Sequence, residues 1–281
     1  MINLGGYYEL TVTRLSDLGY MLKDNDSEVL LHFNQSLSEH KINDKVKVFI
    51  YADKAKRLTA TEYTPFIDLD NVGFVDVVDV LEDTGVLVNI NTPKDVLLTK
   101  DYLPYDNNLW PKKDDKILAK LKIKSNSFLA KPLSRYDIRE LNKNVNYAEN
   151  EKIKAYVIRI GESGLSMVSS DLMYIFVPHH QYRGIVRMGE EVLVTITKKT
   201  KDNEYYGKLN ANKEDLIDND KELILNYIKD HHGKMKITEK SDPKIIDREF
   251  GLSKKAFKRA YGGLYKDRLI DFNDEETYLV K

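Results

Sequence analysis

The chain contains the same run of five strand-like segments three times, and a basic helical tail follows the third copy. Repetition on this scale constrains the fold before any motif is read, because each copy must solve the same packing problem. The closing hairpin is the clearest part of each copy. In the first, Asn43-Asp44 leads into alternating Val46, Val48 and Ile50, then a polar loop over 53–57 and Leu58-Thr59-Ala60. In the second, Asp114-Asp115 precedes Ile117, Ala119, Leu121 and Ile123, then Ser125-Asn126-Ser127 and Phe128-Leu129-Ala130. In the third, Gly189-Glu190 precedes Val192, Val194 and Ile196, then a polar loop over 201–204 and a strand from Tyr205 to Leu209. An apolar residue at every second position between polar turns predicts a half-buried antiparallel hairpin.

What precedes each hairpin repeats as well. First strands are expected over Tyr8–Val12, Val75–Val80 and Ile153–Ile160. A glycine turn opens each second strand, at Gly19, Gly85 and Gly164, and third strands run over 29–32, 96–99 and 174–178. Five short strands in about 65 residues suit a small closed barrel of the OB type. The domains are placed at 1–64, 65–134, 135–212 and, for the tail, 213–281. Linkers are expected at 62–70 and 132–149, the second holding a short helix capped by Ser134. Proteolysis is expected first in 142–149 or 210–220.

A length of 281 residues predicts about two ordinary domains, and small barrels allow more. There is no cysteine, which excludes disulfides and thiolate metal sites and fits a reducing compartment. No basic-then-apolar leader and no apolar run of membrane-spanning length is visible, so the expected location is cytoplasmic, with no membrane partner.

The formal net charge of −1 hides an uneven distribution. Residues 63–134 carry 9 basic and 11 acidic side chains, whereas residues 231–268 carry 11 basic and 5 acidic, a net +6. A basic stripe is the electrostatic footprint of a polyanion binder. The tail reads as three helices and a hairpin, the layout of a winged helix-turn-helix, giving a mainly β chain with an α+β end. Helical spacing of Leu216, Ile217, Leu223, Ile224, Tyr227 and Ile228 ends at Gly233. Asp242-Pro243 opens a second helix that Gly251 ends, and Ser253 caps a third. Strands 269–272 and 277–280 flank the turn 273–276.

On the third helix, a rotation of about 100° per residue puts Lys255, Lys258, Arg259, Gly262 and Lys266 on one face. Phe257, Ala260, Tyr261 and Leu264 fall on the other. Lys254 begins the same helix. This is the helix that enters a groove or lies on a phosphate backbone. Gly262 costs about 1 kcal/mol relative to alanine in a helix interior, so a close approach of backbone or ligand is expected there.

With these features in place, the chain resembles the conserved virulence factor B family of bacterial RNA-binding proteins over essentially its whole length. The resemblance rests on three barrels similar to the RNA-binding domain of ribosomal protein S1 and on the string Gly251-Leu252-Ser253-Lys254-Lys255-Ala256-Phe257-Lys258-Arg259-Ala260-Tyr261-Gly262-Gly263-Leu264-Tyr265-Lys266. It implies RNA binding and regulation of gene expression, including virulence factors, without catalysis. In the S1-like pattern two aromatics flank the glycine turn and a histidine ends strand three. Here those places hold Leu18, Met21 and His32; Thr84, Leu87 and Thr99; and Ser163, Ser166 and Pro178. Only His32 fits, so the first two barrels are expected to be structural or to offer partner surfaces.

The third barrel is equipped differently. Tyr174 and Phe176 alternate with Ile175 and Val177, so one pair faces the core and the other is displayed. An outward aromatic pair would be available for stacking. His179, His180, Arg183, Arg187, Lys198, Lys199 and Lys201 lie nearby in sequence. His179-His180 lacks a third ligand at metal spacing, and no metal or cofactor is expected. No nucleophile elbow, phosphate loop or carboxylate dyad is present, so no enzyme is expected. The expected partner is single-stranded RNA, bound through the third barrel and the winged helix. The alternative is a DNA-binding or protein-interaction adaptor that uses the winged helix and keeps the barrels as spacers.

Overall fold

The computed structural model describes residues 1–141, 145–209, 213–273 and 276–280. Its described residues fall into two units. One comprises Met1–Pro178 with Val186–Lys208, the other His179–Ile185 with Leu209–Lys281.

The first unit holds three closed five-stranded barrels. The first barrel is β1 (Tyr7–Ser16), β2 (Gly19–Lys23), β3 (Glu28–His32), β4 (Lys45–Ala52) and β5 (Leu58–Thr61). The second is β6 (Gly73–Leu81), β7 (Gly85–Asn89), β8 (Val96–Thr99), β9 (Lys116–Lys124) and β10 (Ser127–Pro132). The short helix α1 (Arg135–Glu140) follows. The third barrel is β11 (Lys152–Gly161), β12 (Gly164–Ser169), β13 (Tyr174–Pro178), β14 (Glu191–Lys199) and β15 (Tyr205–Leu209). All three share one strand order, first-second-third-fifth-fourth, with the third and fifth strands parallel. Closure removes the free sheet edges that strands this short would otherwise expose.

The repeat extends to irregularities. Each first strand shifts register at the same place, between Val12 and Arg14, Val77 and Asp79, and Val157 and Arg159. Such a bulge tightens the local twist that closes a small barrel. Each turn glycine pairs with the last residue of strand three: Gly19 with His32, Gly85 with Thr99, Gly164 with Pro178. A Cβ on them would stand 2.0, 2.1 and 2.2 Å from a carbonyl oxygen of the facing strand.

The segments expected as linkers are packed. Ile67 lies in the core of the second barrel, and Asp68 accepts a hydrogen bond from the Tyr7 hydroxyl at 2.9 Å. Phe49 stacks on Phe128 at 5.9 Å between the first two barrels. Barrels two and three share an apolar cluster of Leu118, Leu133, Ile138, Tyr156, Ile158, Val168 and Tyr174. Ser134 caps α1 in a reciprocal capping box with Asp137. The Tyr147 hydroxyl donates to Asp171 and its backbone N–H to the Tyr205 hydroxyl, so that part of the expected cleavage segment is tied to the third barrel. Asn142–Asn144 and Asn210–Asn212, also within the expected cleavage segments, lie outside the described residues.

The second unit has the winged-helix order: α2 (Lys213–Asp230), β16 (Lys234–Met235), α3 (Pro243–Phe250), α4 (Lys254–Lys266), β17 (Ile270–Phe272) and β18 (Thr277–Leu279). Asp242 caps α3 with proline in its first turn, Gly251 ends it at φ 63°, and Ser253 caps α4. Ile224, Ile228, Ile246, Phe257, Ala260, Tyr261 and Leu264 form its core. Asp274 and Glu275 of the wing turn lie outside the described residues. Among the described residues no helix is long and apolar enough to cross a membrane.

Candidate nucleic-acid interface

In the third barrel, Ile175 and Val177 take the core side of β13, both fully buried. Tyr174 and Phe176 therefore take the outer side, but their surroundings differ. Tyr174 is only 5% exposed, so of the two rings only Phe176 is displayed. It belongs to the cluster shared with the second barrel, its hydroxyl meets Ser166 Oγ at 2.8 Å, and the Arg135 guanidinium sits 5.1 Å from its ring centre. Burial pushes its phenol above the ordinary value. Phe176 remains partly exposed and meets the half-exposed Tyr206 of β15 edge-on at 5.9 Å.

This aromatic pair occupies one defined lattice position. Across the strands, Ser166, Phe176 and Tyr206 are neighbours. The matching sets are Met21, Leu30 and Thr59 in the first barrel, and Leu87, Leu97 and Leu129 in the second. Of the three, only the third barrel carries rings there. The aromatic platform lies on strands three and five rather than strand two, where the small Ser166 of β12 stands beside it. Tyr206 is not legible in the sequence as a site residue because it lies on strand five and reaches Phe176 only through the parallel pairing of β13 with β15.

Phe176 and Tyr206 open onto a cleft of about 1210 Å³ between the second and third barrels. Lys131, Arg135 and Arg159 line it along with Asp101, Glu162 and Glu204. The carboxylates do not cancel the cations evenly. Glu204 is 6% exposed and takes Arg135 in a bidentate pair at 3.0 and 2.5 Å, with Arg139 at 3.0 Å. Burial alone would raise Glu204; hydrogen bonding to Arg135 and the charges of both arginines outweigh it and hold the carboxyl below its ordinary value. This latch fixes α1 on the third barrel. Arg159, just past the register shift, is exposed and makes no ion pair with another described residue. It too is absent from the sequence reading; its signal is a cation inside the run Ala155–Ile160, which is otherwise apolar or aromatic at both parities.

Lys198 and Lys199 are exposed at the end of β14. Lys199 lies 5.7 Å from the Tyr205 ring centre and bonds the Asn146 amide oxygen. His32 ends β3 half-buried beside Gly19, as the S1-like pattern requires, next to the 46%-exposed Phe33. His179 and Arg183 belong to the unit of the winged helix, apart from the barrel residues with which the sequence groups them. His179 meets Tyr182 edge-on at 5.4 Å.

In the winged helix the wheel reading of α4 holds. Lys255, Lys258, Arg259, Gly262 and Lys266 are exposed, Lys254 is partly covered, and the apolar side is buried. Lys255, Lys258 and Lys266 make no ion pair with a described residue. Two lysines and no acid stand in the first turn, where the helix dipole disfavours each cation by about 0.3–1 kcal/mol. An anion lying there would offset that cost. Arg259 has a second role. Burial raises the pKa of Asp220, and the charges of Arg183 and Arg259 pull it back. Both arginines thus act through their charge on one buried carboxylate, so Arg259 also serves the fold. The expected close approach at Gly262 does not come from the chain: nothing lies within 4 Å of a Cβ placed there, whereas a Cβ on Gly263 would stand 2.4 Å from Lys221 Cε.

Residues 4–62 match the S1 domain family, 72–130 the family described as CvfB first S1-like domain, and 222–279 the CvfB-like winged helix domain. The chain is 33% identical over 279 residues to Uncharacterized protein YitL of Bacillus subtilis, covering 99% of this chain and 94% of that one. It is 30% identical over 284 residues to Conserved virulence factor B of Staphylococcus epidermidis, covering 99% and 95%. Among solved structures, a multidomain protein with nucleic acid binding domains from Streptococcus pneumoniae matches at TM-score 0.66 and 26% identity, covering 99% of both chains. Three barrels with S1 matches in the first two, a winged helix with its own family match, and relatives aligned end to end lead to one conclusion: the chain belongs to the conserved virulence factor B (CvfB) family, and its domains are of nucleic-acid-binding type.

Proposed function

We propose that this protein is a cytoplasmic regulator of gene expression that binds single-stranded RNA and acts by binding, without catalysis. The observation that carries the reading is the platform of Phe176 and Tyr206, opening on a cleft that also holds Arg159, unpaired among the described residues. A paired helix hides base faces, whereas a single strand offers them for stacking, and OB-type barrels read splayed strands. The exposed lysines of α4 supply phosphate contacts that are indifferent to sequence. Relatives named for a virulence factor support a part in controlling virulence genes.

Phe176→Ala with Tyr206→Ala tests the barrel's share. Each base stacked on a ring is worth about 1–3 kcal/mol, so the double variant should bind single-stranded RNA at least about tenfold more weakly. Its salt dependence should stay that of the parent, since no phosphate contact is removed. Anisotropy titrations at several salt concentrations read both quantities. Parental affinity in a folded double variant would remove the third barrel from the site.

A further inference from the structure

We propose that the winged helix carries a stacking site of its own, at which an unpaired nucleobase lies against Tyr265 and Phe272 while the adjoining phosphates lie along Lys258 and Lys266. The proposal rests on the single-strand reading above and says where on this domain the bases go.

Tyr265 is 51% exposed and Phe272 37%, and their rings meet at 5.2 Å with a 56° tilt. Neither belongs to the domain's core cluster. They are nevertheless held from beneath. Phe272 packs on Tyr261 at 5.5 Å, and Tyr261 is 2% exposed. The Thr277 hydroxyl donates to the Ile237 carbonyl at 3.0 Å, so its oxygen accepts the Tyr261 hydroxyl proton at 2.6 Å. This chain fixes the floor of the platform, and a preorganised aromatic surface loses little entropy when a ligand settles on it.

The position on α4 identifies the ligand. Lys258, Tyr265 and Lys266 stand four residues before and three and four after Gly262, so all three border it on the helix surface. Gly262 has open space above it, so the centre of this face is a shallow floor between cations and a ring. The neighbouring carboxylates are engaged: Asp267 pairs with Lys221 at 2.8 Å, and Asp271 accepts the Phe272 backbone N–H at 2.8 Å. Ammonium groups that are unpaired among the described residues, beside an exposed ring, fit a phosphate followed by a base.

The test uses the full chain and two fluorescein-labelled probes, a short oligoadenylate and a strand of equal length made of abasic sites. Tyr265→Leu keeps an apolar cover over Phe272 but removes the π-face; Tyr265→Phe keeps it. Tyr265→Leu should bind oligoadenylate about tenfold more weakly at an unchanged salt slope, and the abasic strand as the parent does. Tyr265→Phe should match the parent on both. The proposal is overturned if Tyr265→Leu binds oligoadenylate like the parent, or loses equally on the abasic strand. A parent that fails to bind oligoadenylate at all overturns the single-strand reading itself, before any variant is compared.

Discussion

Replacing Lys255, Lys258 and Lys266 together with alanine should weaken binding to every single-stranded RNA alike and flatten its salt dependence. All three are exposed on one side of α4 and unpaired among the described residues. A bound phosphate displaces condensed counterions, and on single strands the slope of log affinity against log salt is about −0.7 per phosphate. Three lost contacts should therefore shift the slope by roughly 2.1 and, at low salt, cost more than one decade of affinity. Folding should be unchanged, because Phe257, Ala260, Tyr261 and Leu264 on the buried side are untouched. Arg259 is left in place because its charge also acts on buried Asp220, where removal would mix stability with binding. A folded triple variant with the parental slope would make this face an ordinary solvated stripe.

Gly164→Ala should unfold the third barrel at markedly lower urea. Gly164 sits at φ 148°, and a Cβ there would stand 2.2 Å from the Val177 carbonyl oxygen and 2.9 Å from the Pro178 Cα. Both atoms belong to the paired strand, so neither can move aside without breaking the ladder. Substitutions that force a side chain into such a place cost about 3 kcal/mol or more. Because Tyr156, Ile158 and Val168 share a cluster with Leu118, the second barrel should lose stability with the third. Gly262→Ala is the contrast: open space and an ordinary helical backbone predict a gain of about 1 kcal/mol. Urea melts of the two variants should move in opposite directions. Equal or reversed shifts would mean that the repeated glycine is not demanded by the barrel's closure.

The strands were legible because the barrel interiors impose a period of two and the turn glycines recur at a fixed place. The winged helix was legible through its caps, Asp242 and Ser253, and the glycine at 251. What escaped was the packing of barrel on barrel. Strand β9 reads as Ile117, Ala119 and Leu121 facing inward, yet Leu118 on the opposite face is also fully buried, against the third barrel. Tyr156 and Ile158 flank Val157 in the same way, and Tyr174 left the surface for this reason. Apolar residues at both parities are the mark of a strand covered on two sides, a signal present in the sequence but ambiguous without the partner surface. It also means that severing the chain at 134 would split a shared core. The platform of Phe176 and Tyr206 escaped because its rings come from strands distant in sequence and joined only by the parallel pairing of β13 with β15.

The most direct test of the account is an anisotropy titration of the full chain against a single-stranded RNA, the same sequence as single-stranded DNA, and the corresponding duplex DNA, at matched salt. Binding through stacked bases and α4 phosphate contacts predicts that both single strands bind at least about tenfold more tightly than the duplex. Duplex DNA bound as tightly as single-stranded RNA, or more tightly, would contradict it and identify the winged helix as a duplex reader with the barrels as spacers.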